Sequence, residues 1–146
     1  MGRILVLPFR EWRRLRRRAY FSQQNGGHEV SGLFGVRDHI QIVLVFLKSG
    51  SPRPAHFEID WPEFRRGRNE MQAIGARYLG IFHSHPVSEA ILGPGDLRWA
   101  RPNSRHLVYD VCGCEARLWK VVLRKGRKVP LEVPIRIERT GPKASK

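Results

Sequence analysis

Residues 80–99 read G-I-F-H-S-H-P-V-S-E-A-I-L-G-P-G-D-L-R-W, and the rest of the chain is best understood from this stretch. Its first half predicts the end of a strand over residues 78–85, because Pro86 has no N–H to donate to a neighbouring strand. Side chains two residues apart on a strand point to the same face. We therefore expect His83 and His85 to project side by side from the end of this strand.

Asp96 can supply a third metal ligand from beyond the loop that follows the strand. Ten loop residues separate it from His85, and it is predicted to open a short helix that ends near Arg101. Two imidazole nitrogens and one carboxylate oxygen leave the fourth tetrahedral position of zinc to water, as in catalytic rather than structural sites. The residues alone leave another interpretation open, in which His83 and His85 are exposed strand residues that bind no metal.

The chain is strongly basic, with 27 lysines and arginines against 13 aspartates and glutamates, and its formal charge is +14. The basic residues cluster at 13–18, 65–68 and 120–128. Such a charge favours anionic partners, namely nucleic acid, an acidic protein surface or a membrane face. A solvated basic surface is the simpler interpretation, and a dedicated nucleic-acid groove is the alternative.

Size and composition predict one globular domain. The chain has 146 residues, of which 41% are hydrophobic and 10% aromatic, and this length can bury a core without disulfides. We expect the domain to cover residues 1–139 and a disordered tail to occupy residues 140–146. Cys112 and Cys114 are poorly placed for an ordinary disulfide, and no signal peptide or membrane span is predicted. These features indicate a reduced, cytoplasmic protein that does not act in a membrane.

The remaining sequence alternates between helical and strand patterns. Helices are predicted from Leu7 and Pro8 to about Ser22, and from Trp61 and Pro62 to about Ala76. Their buried stripes are predicted to be Phe9, Trp12, Leu15 and Ala19 in the first helix and Phe64, Met71 and Ile74 in the second. Further strands are predicted over residues 30–36, 39–48, 56–60, 107–111, 116–123 and 131–137, the last one at a sheet edge. This order predicts an α+β (mixed α/β) fold in which helices flank one central mixed sheet.

The other histidines and two of the tryptophans are assigned structural positions. The histidines without a partner at metal-ligand spacing are expected to be surface or strand residues: His28, His39, His56 and His106. Trp99 and Trp119 are expected to be core residues.

The residues His83-Ser84-His85-Pro86 are followed by Asp96, with ten residues between His85 and Asp96. This stretch resembles the JAMM motif of the MPN metalloprotease family, whose pattern is His-Ser/Thr-His-Pro, a spacer and Ser-x-x-Asp, and the spacing to Asp96 is that of the family. Residues 29–35, E-V-S-G-L-F-G, are similar to the family's upstream glutamate and Gly-rich strand. The resemblance covers about residues 3–125, and the compact chain is most similar to bacterial or archaeal single-domain members. It implies an MPN/JAMM-like (cytidine-deaminase-like) fold. It also implies one Zn²⁺ bound by His83, His85 and Asp96, with Glu29 as the catalytic residue.

The chain departs from the family pattern at Gly93, where the family has a serine thought to support the developing oxyanion. Ser88 in the same loop, or a backbone N–H at Gly93 or Gly95, could replace that hydroxyl, and otherwise the activity is low. Loss of one oxyanion donor costs about 10²–10³ in rate in other enzymes. Ser84 points away from its neighbouring histidines and is expected to pack or to form a supporting hydrogen bond.

The resemblance implies a zinc-dependent peptidase or isopeptidase that cleaves at the C-terminal tail of a ubiquitin-like or sulfur-carrier protein. Such carriers are often acidic, which suits a basic enzyme. One alternative is a catalytically weak or silent MPN scaffold that binds a protein or nucleic-acid partner. Another is a DNA-associated role, against which Ser84 counts because that branch tends to carry asparagine between the two histidines.

Overall fold

The computed structural model describes residues 3–48 and 60–141, which form eleven helices and strands. In chain order they are β1 (Leu5–Leu7), α1 (Phe9–Gln24), β2 (Ser31–Arg37), β3 (Gln41–Leu47), α2 (Trp61–Ala73), β4 (Arg77–His85), α3 (Pro94–Trp99), β5 (Arg105–Asp110), β6 (Glu115–Arg124), β7 (Arg127–Val133) and β8 (Ile135–Ile137). The strand predicted at 56–60 falls, apart from Asp60, outside the described residues, as does most of the predicted tail.

The strands form one mixed sheet in the order β7-β6-β5-β4-β2-β3-β1-β8. Strand β4 pairs with β5 in parallel, and β1 is parallel to both β3 and β8. The other pairs are antiparallel. The expected mixed sheet is therefore present, and β4, which carries His83 and His85, lies in its interior.

The sheet curls back on itself, because its two edge strands are consecutive in the chain. Only Pro134 separates the end of β7 from the start of β8, although these strands lie at opposite ends of the sheet order. Two successive Cα–Cα steps span less than about 8 Å, so the two edges must approach each other. The prediction of one continuous edge strand over residues 131–137 was wrong, since Pro134 lacks the N–H that would continue the ladder.

Helix α1 covers one face of the sheet through a buried apolar stripe. Trp12, Leu15 and Ala19 pack in one cluster with Phe34 and Phe82, among other residues of the strands. This stripe confirms the helical spacing noted in the sequence. The predicted start of the helix at Leu7 and Pro8 was too early, because Leu7 is the last residue of strand β1 and Pro8 precedes the helix.

Helix α2 covers the opposite face. Asp60 caps its N-terminus by accepting a hydrogen bond from the Glu63 N–H at 2.9 Å, and Met71 is buried against Leu33 and its neighbours. Gly67 permits this close approach, because a Cβ there would lie 2.7 Å from the Leu47 side chain. The prediction of Ile74 as a buried residue was wrong, because it caps the end of the helix and is exposed.

The turn between β5 and β6 contains Gly113, as predicted, and also both cysteines. Cys112 and Cys114 are free thiols in the structure. Within residues 3–48 and 60–141, no helix has the length and apolar character that a bilayer crossing requires.

Candidate metal centre

The two histidines lie at the end of β4 and are buried on one face of the sheet. Both side chains project from the same face of β4, as predicted. His83 is 1% exposed and His85 is 7% exposed, so the alternative interpretation of two exposed strand residues was wrong about their exposure. Their Nε2 atoms are 3.0 Å apart. Two imidazole nitrogens so close together face one small volume, which is the arrangement that a shared cation requires.

Asp96 completes this group from helix α3. Its Oδ1 is 3.4 Å from His83 Nε2, and its Oδ2 is 3.4 Å from His85 Nε2. Ligands about 2.05 Å from a tetrahedral zinc ion lie about 3.3 Å from one another. The Nε2 atoms lie 3.0 Å apart, and each lies 3.4 Å from a different oxygen of the Asp96 carboxylate. One donor atom from each of the three residues lies within 4.8 Å of the other two, so the group could hold one metal ion.

The protonation states of His83 and Asp96 suit metal binding. Burial alone would lower the pKa of His85, but its hydrogen bonds with Asp96 and the Glu89 carbonyl oxygen raise it, so a metal must displace a proton there. Burial lowers the pKa of His83 and outweighs the opposing influence of Asp96, so its imidazole is neutral at pH 7. Burial alone would raise the pKa of Asp96, but its hydrogen bonds with the two histidines dominate and hold that pKa well below its usual range. A neutral imidazole and an ionised carboxylate are the forms that coordinate metals.

Hydrogen bonds from the loop after β4 orient two of the ligands. His85 Nδ1 lies 2.7 Å from the Glu89 carbonyl oxygen, to which it donates when Nε2 is the unprotonated nitrogen. The Gly93 N–H donates to Asp96 Oδ2 at 3.1 Å. These contacts aim Nε2 of the imidazole and Oδ1 of the carboxylate toward the same point.

Helix α3 begins two residues earlier than predicted. It runs over Pro94–Trp99, so Asp96 occupies its third position rather than its first, and the predicted end near Arg101 was too late. Proline suits the first helical turn because that turn needs no N–H donor there. Lys128 holds the C-terminal end of helix α3, because its Nζ donates to the carbonyl oxygens of Leu97 and Arg98.

Glu29 lies just before β2, beside the three candidate ligands. Burial raises the pKa of Glu29 to about 7, with an opposing influence from His85 and a reinforcing one from Asp96. These electrostatic interactions place its carboxyl group near both residues. A carboxyl group with a pKa near neutrality can accept and return a proton at pH 7.

Ser84 connects the strand of Glu29 to the strand of the histidines. Its Oγ accepts a hydrogen bond from the Val30 N–H at 2.8 Å, and its own N–H donates to the Val30 carbonyl oxygen at 2.8 Å. Ser84 is fully buried. It therefore fixes the residue next to Glu29, which agrees with the expected supporting role.

The other candidate residues of the loop have different surroundings. Ser88 is exposed. The Gly93 N–H donates to the Asp96 carboxylate, so this N–H is not free to bind an oxyanion. A Cβ placed on Gly93 would have only Asp96 Oδ2 within 4 Å, at 3.9 Å, so there is room for a side chain at this position.

Sequence reasoning missed His106, which is buried on β5 next to the histidine strand. In the parallel pairing of β4 with β5, His106 lies opposite Ile81 and Val108 opposite His83, so His106 shares the face of His83. Its Nε2 is 2.7 Å from Ser104 Oγ, and burial, followed by the charge of His83, lowers its pKa to about 4. The sequence shows that His106 and Val108 lie two residues apart on a predicted strand, but it does not show that this strand pairs with β4.

The two tryptophans expected in the core differ from each other. Trp119 is partly buried, and its Nε1 donates to the Ala90 carbonyl oxygen at 2.9 Å, which anchors the loop before α3. Trp99 is 83% exposed, so the prediction that it is a core residue was wrong. It ends a six-residue helix whose last turn faces solvent.

Comparisons with known proteins support the fold. No family model matches the chain, and no curated protein does. A solution structure of a protein from Desulfitobacterium hafniense is 23% identical, with a TM-score of 0.70, covering 92% of this chain and 94% of that one. The crystal structure of a JAB1/MPN domain protein from Archaeoglobus fulgidus is 14% identical, with a TM-score of 0.52, covering 94% and 99%. At these identities the likeness shows the fold alone, and that fold is MPN-like.

Proposed function

We propose that this protein is a zinc-dependent metallopeptidase or isopeptidase that acts at the C-terminal tail of a ubiquitin-like or sulfur-carrier protein. The observation that carries the proposal is the close grouping of His83, His85 and Asp96: the two Nε2 atoms are 3.0 Å apart, and each lies 3.4 Å from one oxygen of the Asp96 carboxylate, a spacing that suits one shared zinc ion. The MPN-like fold and the partly buried carboxyl group of Glu29 beside these ligands support it.

Each residue of the centre has a separate task in this hydrolysis. His83, His85 and Asp96 would hold the zinc ion, which when bound polarises the scissile carbonyl and lowers the pKa of a coordinated water to about 7. Glu29 takes a proton from the attacking water and passes it to the leaving amine. Ser84 keeps the Glu29 segment against β4. No covalent intermediate is needed, so neither Cys112 nor Cys114 takes part.

A cleavage assay with a matched variant tests the proposal. The substrate is a ubiquitin-fold sulfur-carrier protein extended by a short peptide beyond its C-terminal glycines, and the product is followed by mass spectrometry. We expect the zinc-loaded protein to release the extension and Glu29→Gln to release none while it keeps its zinc. Intact substrate after incubation with zinc-loaded wild-type protein would remove the support for this substrate class.

The second candidate function is a catalytically weak or silent MPN scaffold. The observation that favours it is Gly93, which leaves the loop without the hydroxyl that the family pattern places there. The charge of +14 suits an acidic protein or nucleic-acid partner of such a scaffold. The same assay separates the two functions, because a scaffold would leave the extended substrate uncut even when zinc is bound. The cytoplasmic location stays a prediction.

A further inference from the structure

A surface cavity opens directly beside Glu29, between the C-terminal half of α1 and the end of β3. Its volume is about 480 Å³. Arg17, Arg18 and Phe21 line it from the helix, while Phe46 and Glu29 line it from the sheet side. One wall of the cavity thus belongs to the candidate catalytic residue.

A second cavity, of about 290 Å³, continues the first along the same helix. Arg10, Arg13 and Arg14 line it, and Arg17 borders both cavities. The two cavities meet at Arg17, and we call the surface that they line, from Arg10 to Phe21, the α1 groove. Eleven helical steps cover about 16 Å, the length of about five residues of extended peptide.

Arg18, which lines the cavity with Glu29, is held against an aromatic ring, and neither it nor Arg17 is neutralised by a described residue. The guanidinium groups of Arg14 and Arg18 lie 5.0 Å and 4.3 Å from the centre of the Phe46 ring. Among residues 3–48 and 60–141, Arg14 forms an ion pair with Glu11, whereas Arg17 and Arg18 form none. A guanidinium over an aromatic ring still presents its N–H groups at the edge, where a carboxylate can bind two of them.

Phe21 adds an apolar contact at the end of the α1 groove nearest Glu29. Its side chain is 69% exposed although it borders the cavity. Burying an exposed phenylalanine against an apolar partner removes apolar surface from water, which favours binding. The groove therefore combines two unpaired cations with one uncovered aromatic ring.

We infer that the α1 groove binds an extended acidic segment of a substrate protein, with its carboxylates on Arg17 and Arg18 and an apolar side chain on Phe21. The segment then leads past Glu29 to the metal centre. This inference deepens the proposed function and rests on it for the direction of the bound chain. The binding itself depends on the groove alone.

An acidic peptide fits this groove better than a nucleic acid does. Phe46 is covered by Arg14 and Arg18 and by the edge-on Phe82 ring at 5.2 Å, which leaves Phe21 as the exposed ring of the groove, whereas single strands bind by stacking successive bases on several rings. The groove also ends at the carboxyl groups of Glu29 and, beyond it, Asp96. A phosphate backbone brought to that end would meet like charge, whereas a peptide brings a neutral amide there.

Fluorescence anisotropy with the full chain tests the inference. The probe is a fluorescein-labelled peptide Gly-Ser-Glu-Leu-Glu-Gly-Gly, compared with Gly-Ser-Gln-Leu-Gln-Gly-Gly and with a labelled single-stranded deoxythymidine oligonucleotide. The groove variants are Arg17→Gln/Arg18→Gln and, separately, Phe21→Ser at an exposed side chain that folding does not need. The control is Arg124→Gln/Arg127→Gln, an equal change of charge on two exposed arginines of the β6–β7 hairpin.

We expect the glutamate peptide to bind about tenfold more tightly than the glutamine peptide, as two charge-assisted contacts allow. The double groove variant should lose that preference, Phe21→Ser should weaken both peptides, and the hairpin variant should stay within about twofold of wild type. Equal binding of the two peptides, or equal loss in the groove and hairpin variants, would overturn the inference. So would an oligonucleotide that binds more tightly than the glutamate peptide and depends on Arg17 and Arg18. Metal-free protein should bind the peptide as zinc-loaded protein does, so a failure of hydrolysis alone leaves this result standing.

Discussion

Ser84 Oγ lies 2.8 Å from the Val30 backbone nitrogen, and this hydrogen bond joins the strand of the candidate ligands to the residue after the candidate base. Ser84 sits between His83 and His85 but faces the other way, toward β2. One side chain thus connects the metal-ligand strand with the segment that carries Glu29. In the proposed hydrolysis, the position of Glu29 relative to the metal ligands depends on that connection.

Ser84→Ala should impair catalysis more than zinc binding. The substitution leaves the buried Val30 N–H without an acceptor, which costs about 1–3 kcal/mol of the free energy of unfolding. The histidines stay in place, so the zinc content should be unchanged while turnover falls by about tenfold or more. Urea denaturation, zinc content and cleavage rate check the three expectations. Ser88→Ala, at an exposed serine, is the stability control and should change the free energy of unfolding by less than about 0.5 kcal/mol. Full turnover in Ser84→Ala would contradict the assigned role.

Gly93→Ser should raise the cleavage rate. A Cβ fits at this position, since its nearest neighbour would be Asp96 Oδ2 at 3.9 Å, and serine is also favourable at the residue that precedes a helix. A hydroxyl that reaches the oxyanion should contribute about tenfold or more, by analogy with the loss of such donors elsewhere. Gly93→Ala is the matched control, because it adds the Cβ without the hydroxyl. Equal rates in the serine and alanine variants would show that this position does not contact the oxyanion.

His106 should make the folded protein sensitive to acid. Its pKa is lowered to about 4 in the folded state from 6.5, so the folded protein binds fewer protons at this site than the unfolded chain between those values. The contribution of His106 to the free energy of unfolding is therefore fully present above pH 6.5 and is lost as the pH falls toward 4, by about 3 kcal/mol in all. His106→Gln cannot titrate, so its free energy of unfolding should fall less over that range than that of wild type. Parallel losses in the two proteins would contradict this assignment.

Metal removal should lower the melting temperature of the wild-type protein. The three ligands come from β4 and α3, so a bound ion cross-links two elements that are consecutive in the chain. At a free zinc concentration of 100 times Kd, binding stabilises the fold by about 2.7 kcal/mol, or roughly 5–10 °C for a chain of this size. Calorimetry with zinc and with a chelator measures the shift. Asp96→Ala should show a much smaller response, and an equal response in both proteins would point to zinc bound elsewhere.

Much of the fold could be predicted because the long elements have clear periodicity. The helical spacing of Trp12, Leu15 and Ala19 and the β-branched run in β3 identified two of the central elements. The two short strands could not be identified as separate elements in this way, since β1 and β8 have three residues each, too few to show any period. Their existence depends on pairing with each other and, for β1, with β3, which no local pattern encodes.

The candidate site could be predicted only where local strand geometry determines the positions of its residues. The two-residue spacing of His83 and His85 follows from strand geometry alone, and Pro86 marks where that strand ends. The assignments of Asp96 and Glu29 depended on the family resemblance, because their distance in space from the histidines is set by the loop and by the pairing of β2 with β4. The burial of His106 depends on parallel pairing with β4, so its position could not be read from local sequence.

The zinc content of the purified protein tests the central claim most directly. Wild type and Glu29→Gln, supplied with zinc and then freed of excess metal, should each retain one zinc per chain by mass spectrometry of the metal. His83→Ala and Asp96→Ala should retain far less than one. A correctly folded wild-type protein that holds no stoichiometric zinc under these conditions would contradict the assignment of His83, His85 and Asp96 as a metal centre.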